Sequence, residues 1–289
     1  MNTPALLLDV RADLGEGPRW HAAEQRLYWV DINARTLHRF DPATGRDEQR
    51  KLPQRIGCFA FSKSGGVLLA MEDGFDMISG WDAPLIRFGG APLAGKPDLR
   101  FNDGRTDHHG TFWVGSVNMK KSANNAALYA LAPDGTCTEI EGGMLTCNGA
   151  AFSADGCNFM HTDTPSHALR LYDVADGALT NRRIFHQFEM GTGRPDGGSF
   201  DEEGYYWSAL FDGGRVVRLS PAGEVVQTVV LPVSRPTMIA FGEYDRRTAF
   251  VTSARTGLDE AALAREPHAG GIFSFRVDVP GVPEWPFGG

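Results

Sequence analysis

Glu16, Asn102, Asn148 and Asp196 are the residues through which this chain could do chemistry. Each stands four residues before an anchor position, at Trp20, Thr106, Phe152 and Phe200, and the same offset from Phe61 and Phe241 gives Gly57 and Thr237. The six anchors are separated by about 41 to 48 residues, the period of β-propeller blades. Equivalent positions related by rotation about one axis lie at one depth. Inner propeller strands line the central channel, so this register predicts a ring with two carboxylates and two carboxamides at one level. Such oxygens suit a hard or borderline divalent cation with open positions for water and substrate. An open site of that kind polarises a carbonyl and acidifies water, and a carboxylate at the same centre can move protons during attack. The chemistry that follows is hydrolysis of an ester-like bond. The alternative is local: Asn and Asp also shape turns before strands.

The elements that would hold this ring recur with the anchors. After each anchor comes a polar turn, such as Ser62-Lys-Ser-Gly65, Asp107-His-His-Gly110 or Asp201-Glu-Glu-Gly204, and then an apolar, aromatic-rich run, such as Leu27-Tyr-Trp-Val30, Phe112-Trp-Val114 or Tyr205-Tyr-Trp207. Turn-flanked apolar runs read as hairpins, and six copies predict an all-β, six-bladed β-propeller spanning 1–289 as a single domain. A propeller must close its ring. Leu6–Val10 is expected to do so by pairing with Gly271–Val277. Leu258–Arg265 is the best helix candidate. Residues 119–126 are polar and read as a loop that could cover one mouth of the channel.

Individual residues sharpen the reading. Glycines on both sides of Glu16 free the backbone to aim its carboxylate. Gly57 offers no ligand and is expected to leave space in the channel. Arg100 and Asn102 can donate to hydroxyl or carbonyl oxygens of a substrate, and Asp103 is expected to fix its turn. Lys120 and Lys121 read as a solvated pair. Asp163 is a candidate extra carboxylate near the channel. His161 has no second histidine at metal-ligand spacing and reads as a satisfied strand histidine, and Cys147 as a small buried thiol.

Composition narrows the class. A formal net charge of -8 argues against a nucleic-acid partner. No run is long and apolar enough to span a membrane, and no secretory signal pattern opens the chain. The four cysteines form no CxxC pair or disulfide framework, so a reduced, cytoplasmic setting is expected. There is no G-x-S-x-G elbow and no phosphate-binding glycine loop.

The motifs Leu14-Gly-Glu-Gly-Pro-Arg-Trp20, Arg100-Phe-Asn-Asp-Gly104, Cys147-Asn-Gly149, Pro195-Asp-Gly197, Gly213–Leu219 and Ala269–Phe273, in that order, give the chain a resemblance to the SMP-30/gluconolactonase/regucalcin-like proteins over nearly its whole length. The resemblance implies a six-bladed propeller with one divalent cation in the channel, with calcium, zinc, manganese, magnesium and iron all open, and hydrolysis of a sugar lactone to its open-chain acid. Carried over residue by residue, it implies Glu16, Asn148 and Asp196 as metal ligands, Asp196 also as proton donor and acceptor, and Arg100 and Asn102 as substrate-binding residues. Vertebrate members place a substrate-binding glutamate where Lys120 stands here. That charge reversal implies a different substrate, such as a lactone carrying a carboxylate, if Lys120 faces the site. A broader esterase or phosphotriesterase and a non-catalytic calcium-binding propeller are the alternatives.

Overall fold

Tight turns and short alternating strands set the architecture. In the third repeat, Asp107 Oδ1 accepts the backbone N–H groups of His109 and Thr111, while Oδ2 accepts the indole N–H of Trp113. Asp201 does the same in the fifth repeat, for Glu203, Tyr205 and Trp207. One carboxylate thus closes the turn and fixes the next strand's largest side chain. The computed structural model describes residues 3–288, and these turns join its strands into six four-stranded antiparallel sheets.

Blade 1 runs Gly15–His21, Arg26–Asp31, Thr36–Asp41 and Arg46–Lys51, and the following four blades repeat this pattern in chain order. Their inner strands are Cys58–Phe61, Leu99–Thr106, Cys147–Phe152 and Arg194–Phe200. Blade 6 is composite. Pro236–Gly242, Thr248–Ser253 and Ile272–Arg276 come from the C-terminal part, and Ala5–Leu8 adds the outer strand, with Ala5 opposite Ser274 and Leu6 opposite Phe273. The N-terminal strand therefore closes the ring as expected, which leaves no break between first and last blades. The helix is shorter than its sequence pattern, Glu260–Arg265, capped by Asp259 accepting from Ala262 N at 2.7 Å.

The core lies between blades. Trp20 stacks on Phe250 of blade 6, Tyr28 meets Phe61 edge-on, Phe75 tilts onto Phe101, and Trp207 meets Phe241. All eight rings are buried. Aromatic pairs contribute ~0.5–1.5 kcal/mol each beyond their burial, so the anchors that mark the repeat also weld neighbouring blades together.

The channel's far end is closed by a segment the repeat does not foreshadow. Val282 N donates to Phe200 O, Phe287 N to Phe61 O, and Gly288 N to Gly110 O, so the C-terminal tail crosses from blade 5 to blades 2 and 3. From it Glu284 reaches the buried guanidinium groups of Arg19 and Arg105. Arg19 also donates to Gly104 O, and Arg105 to Ala150 O and Gly198 O, tying inner strands together at this end.

Candidate active site

Backbone irregularity aims the ring residues. The inner strands slip register between Glu16 and Arg19, Phe101 and Gly104, Asn148 and Ala151, Pro195 and Gly198, and Pro236 and Met238. A β-bulge bends a strand and re-aims a side chain, and each slip begins at the ring position or the residue before it. Gly17 and Gly149 follow Glu16 and Asn148 with φ of 56° and 68°, a region that disfavours side chains. Blade 2 has no such slip. A Cβ at Gly57 would stand 2.3 Å from Phe101 O and 2.7 Å from Asn102 N. Gly57 therefore makes room for the neighbouring inner strand, not for the channel as its ring position suggested.

The ring positions are stitched to one another around the channel. Thr237 Oγ1 donates to Gly15 O at 2.6 Å. Arg100 Nη1 donates to Asn102 Oδ1 at 2.7 Å, and Asn102 Nδ2 to Asn148 Oδ1 at 2.6 Å. Asn148 Nδ2 donates to Thr164 Oγ1 at 2.9 Å, and Thr164 Oγ1 to Pro195 O, also at 2.9 Å, next to Asp196. These bonds fix the carboxamide of Asn148 with its oxygen held by Asn102 and one lone pair left over. Thr164 carries no signal at the repeat offset, and sequence reasoning missed it.

The two ring carboxylates are unlike the surface ones. Asp196 is buried, and no hydrogen bond reaches its carboxylate among the described residues. Burial and the charge of Asp103 push it up to about 8. Among the described residues Glu16 accepts only its neighbour's amide, Gly17 N, at 3.2 Å, and burial together with the charges of Asp196 and Asp103 raises it well above the usual range. Asp103 itself accepts Gly104 N and Ala150 N. It fixes the turn as expected and ties blade 3 to blade 4. Two neighbouring carboxyls that no protein cation contacts among the described residues, plus a neutral carboxamide oxygen, form a donor set that fits a divalent cation once the carboxyls ionise. Among the described residues no three His, Cys, Asp or Glu side chains cluster as ligands; the third donor here is an amide.

Around this set the remaining expectations divide. Arg100 and Asn102 lie in the network and are buried. Burial lowers the Arg100 guanidinium to about 10, which leaves it a cation near neutral pH. The structure does not bring Lys120 there: it is 68 % exposed and pairs with Asp98 at 2.7 Å. Its neighbour Lys121, read from sequence as merely solvated, is also exposed as a residue, but its Nζ turns back and donates to Thr146 Oγ1 at 2.5 Å. Burial and the nearby Arg100 lower its ammonium to about 8. Asp163 is no free carboxylate, since its Oδ1 accepts Leu145 N and Thr146 N. His161 is buried, but neither ring nitrogen has a hydrogen-bond partner among the described residues, so it is not the satisfied histidine its strand position suggested. Burial pushes it down to about 3, which keeps it neutral. Cys147 is buried against Met144 Sδ at 3.7 Å and its thiol is pushed far up by burial. All four cysteines are unpaired, and no helix among the described residues is long and apolar enough to cross a membrane.

At the opposite end, Arg19 and Arg105 each stand one residue before an anchor. Reading that offset as the ring offset was read would have found them; Glu284, outside every repeat, carries no such signal. Burial alone would raise Glu284, but Arg105 and Arg19 hold it below its usual value.

The family model for the SMP-30/gluconolactonase/LRE-like region matches residues 14–255. The chain belongs to this family. A 6-deoxy-6-sulfogluconolactonase of Pseudomonas putida is 41% identical over 278 residues, covering 96% of this chain and 95% of the relative. Regucalcin of Gallus gallus is 34% identical over 288 residues, covering 96% of each. The crystal structure of a calcium-binding protein, regucalcin, from Agrobacterium tumefaciens matches with a TM-score of 0.92 at 26% identity, over 98% of this chain and 96% of that one. That likeness agrees with the six-bladed propeller described above.

Proposed function

We propose that this protein opens a sugar lactone to its sugar acid with the help of one divalent cation held by Glu16, Asn148 and Asp196. The observation that supports the reading is the hydrogen-bonded chain from Asn102 through Asn148 and Thr164 to Pro195 O, which fixes a carboxamide close to Asp196, with the Glu16 carboxyl near enough to feel the charge of Asp196. The sulfogluconolactonase relative supports the substrate class, and the calcium-binding relative supports a divalent ion. When bound, the cation would polarise an ester carbonyl and neutralise developing charge.

The chain's own residues supply the rest. Asp196 accepts no hydrogen bond among the described residues and is the group that takes a proton from the attacking water as its oxygen bonds to the ester carbon, then gives it to the ring oxygen as the ester C–O bond breaks. Arg100 keeps its other guanidinium N–H groups for substrate oxygens, because among the described residues only Nη1 is engaged, by Phe101 O and Asn102 Oδ1. Asn102 and Thr164 hold Asn148 from both ends of its amide, so its oxygen cannot turn away.

The test is a lactone panel run on chelator-treated protein with calcium, zinc, manganese, magnesium or iron restored. Hydrolysis above the buffer rate with at least one ion is expected. Asp196→Asn should lower kcat by roughly 100-fold or more while the protein stays folded, in line with a lost general acid–base. Near-wild-type turnover by folded, metal-loaded Asp196→Asn would refute the role. A loaded wild type without turnover would favour a non-catalytic calcium-binding protein.

A further inference from the structure

Adjacent lysines in the loop at 119–125 point opposite ways. Lys121 has a φ of 53°, a left-handed turn that sends Lys120 out to Asp98 and Lys121 back over the channel mouth. The loop's base is pinned. Asn118 Nδ2 donates to Asn125 Oδ1 at 2.8 Å, Asn118 N to Leu145 O at 3.0 Å, and Lys121 N to Asn118 O at 3.1 Å. Lys121 Nζ then reaches Thr146, two residues before Asn148, and its charge is felt by Arg100, Asp196, Arg194 and Asp163.

The neighbouring charges are mostly committed. Arg194 pairs with Asp212, Asp163 accepts two backbone amides, and Arg100 holds Phe101 O and Asn102. Lys121 forms no ion pair among the described residues and spends one of its three N–H donors on a neutral hydroxyl. A neutral sugar has no need of an unpaired ammonium at this place. A substrate with its own negative charge does, because Lys121 keeps two N–H donors and its charge for a partner from outside the chain. Discrimination between such substrates rests on a charge that attracts one and does little for the other.

We propose that Lys121, with Arg100 beside it, is a specificity-determining residue that selects lactones carrying an anionic group, a carboxylate or a sulfonate, on the carbon chain away from the ester. The inference rests on the lactonase reading above and deepens it.

The experiment compares kcat/KM on three six-carbon lactones, one neutral, one with a terminal carboxylate and one with a terminal sulfonate. The enzyme is the metal-loaded full chain as wild type, Lys121→Met, Lys121→Arg and Lys120→Met, each checked for folding by near-UV circular dichroism. Wild type is expected to favour an anionic lactone over the neutral one, and the larger of the two anionic values tells carboxylate from sulfonate. In Lys121→Met the anionic-to-neutral ratio should fall by about 10- to 100-fold, the scale of one charge-assisted hydrogen bond. Lys121→Arg should keep the ratio within about threefold, since it keeps the charge, and Lys120→Met should leave it alone because that ammonium faces solvent. Equal losses on all three lactones in Lys121→Met, or an unchanged ratio, would overturn the assignment. So would a wild type that favours the neutral lactone, and that result would leave the lactonase reading standing. A wild type inactive on all three with every ion would overturn both.

Discussion

The burial of the Glu16 and Asp196 carboxyls makes a prediction about stability that needs no substrate. Both carboxyls hold their protons to higher pH in the folded chain than they would unfolded. Between an ordinary carboxyl near 3.8 and the folded value of about 8 for Asp196, the folded state binds the additional proton. Stability is therefore fully present below that window and falls as pH rises through it. At ~1.4 kcal/mol per unit, a shift of about four units sets a ceiling of about 6 kcal/mol. Relaxation of Arg194 and Lys121 towards the pair reduces this, and about 2–3 kcal/mol is expected to survive. For a domain this size, ~2–4 °C per kcal/mol converts that to a fall in Tm of roughly 5–10 °C between pH 5 and pH 8 in chelator-treated protein. Asp196→Asn removes one charge without changing volume. Its chelator-treated Tm should vary less with pH and lie above that of wild type at pH 8. Saturating divalent cation should invert the order, since it stabilises the ionised pair and finds one anionic ligand fewer in the mutant. Scanning calorimetry at pH 5, 6.5 and 8, with and without cation, reads all of this. A pH-independent Tm for chelator-treated wild type, or a mutant less stable than wild type at pH 8 without cation, would show that burial does not hold protons on these carboxyls in the fold.

Two further outcomes test the supports of the site. Thr164→Val should strand Asn148 Nδ2 and Pro195 O, costing ~1–3 kcal/mol of stability; because it frees the Asn148 amide to turn, cation affinity should weaken roughly 10- to 100-fold by calorimetric titration, with Thr164→Ser close to wild type. An unchanged affinity in Thr164→Val would mean that the Asn148 oxygen needs no holding or is no ligand. Glu284→Gln should leave two buried guanidinium groups without their anion, a loss on the order of 3 kcal/mol and a Tm lower by roughly 5–10 °C; a Tm within about 1 °C of wild type would show that Arg19 and Arg105 are satisfied by carbonyl oxygens alone.

What was legible in the sequence and what was not follows from one distinction. Glu16, Asn102, Asn148 and Asp196 could be found because rotation converts a repeated offset into a shared depth, and the bulges that aim them recur at that offset too. The blade count, the closing strand and the anchors that pack between blades came from the same periodicity. Features made by segments between or beyond repeats had no such translation. Lys121 was indistinguishable from Lys120, because a single left-handed residue decides which ammonium faces the channel. Glu284 finds its partners 265 and 179 residues away through an irregular tail. Gly57 kept its place in the ring but changed its meaning: equivalence of position does not guarantee equivalence of contact, and what a missing side chain makes room for depends on the strand beside it. The same limit explains the division of labour in the site. Ring residues supplied by the repeat are set by a bulge that five of the six blades share, which would suit the fixed donors the proposed cation demands. Lys121 is held by a few hydrogen bonds of its own loop, so the group proposed to meet the variable part of a substrate could change without disturbing the ring.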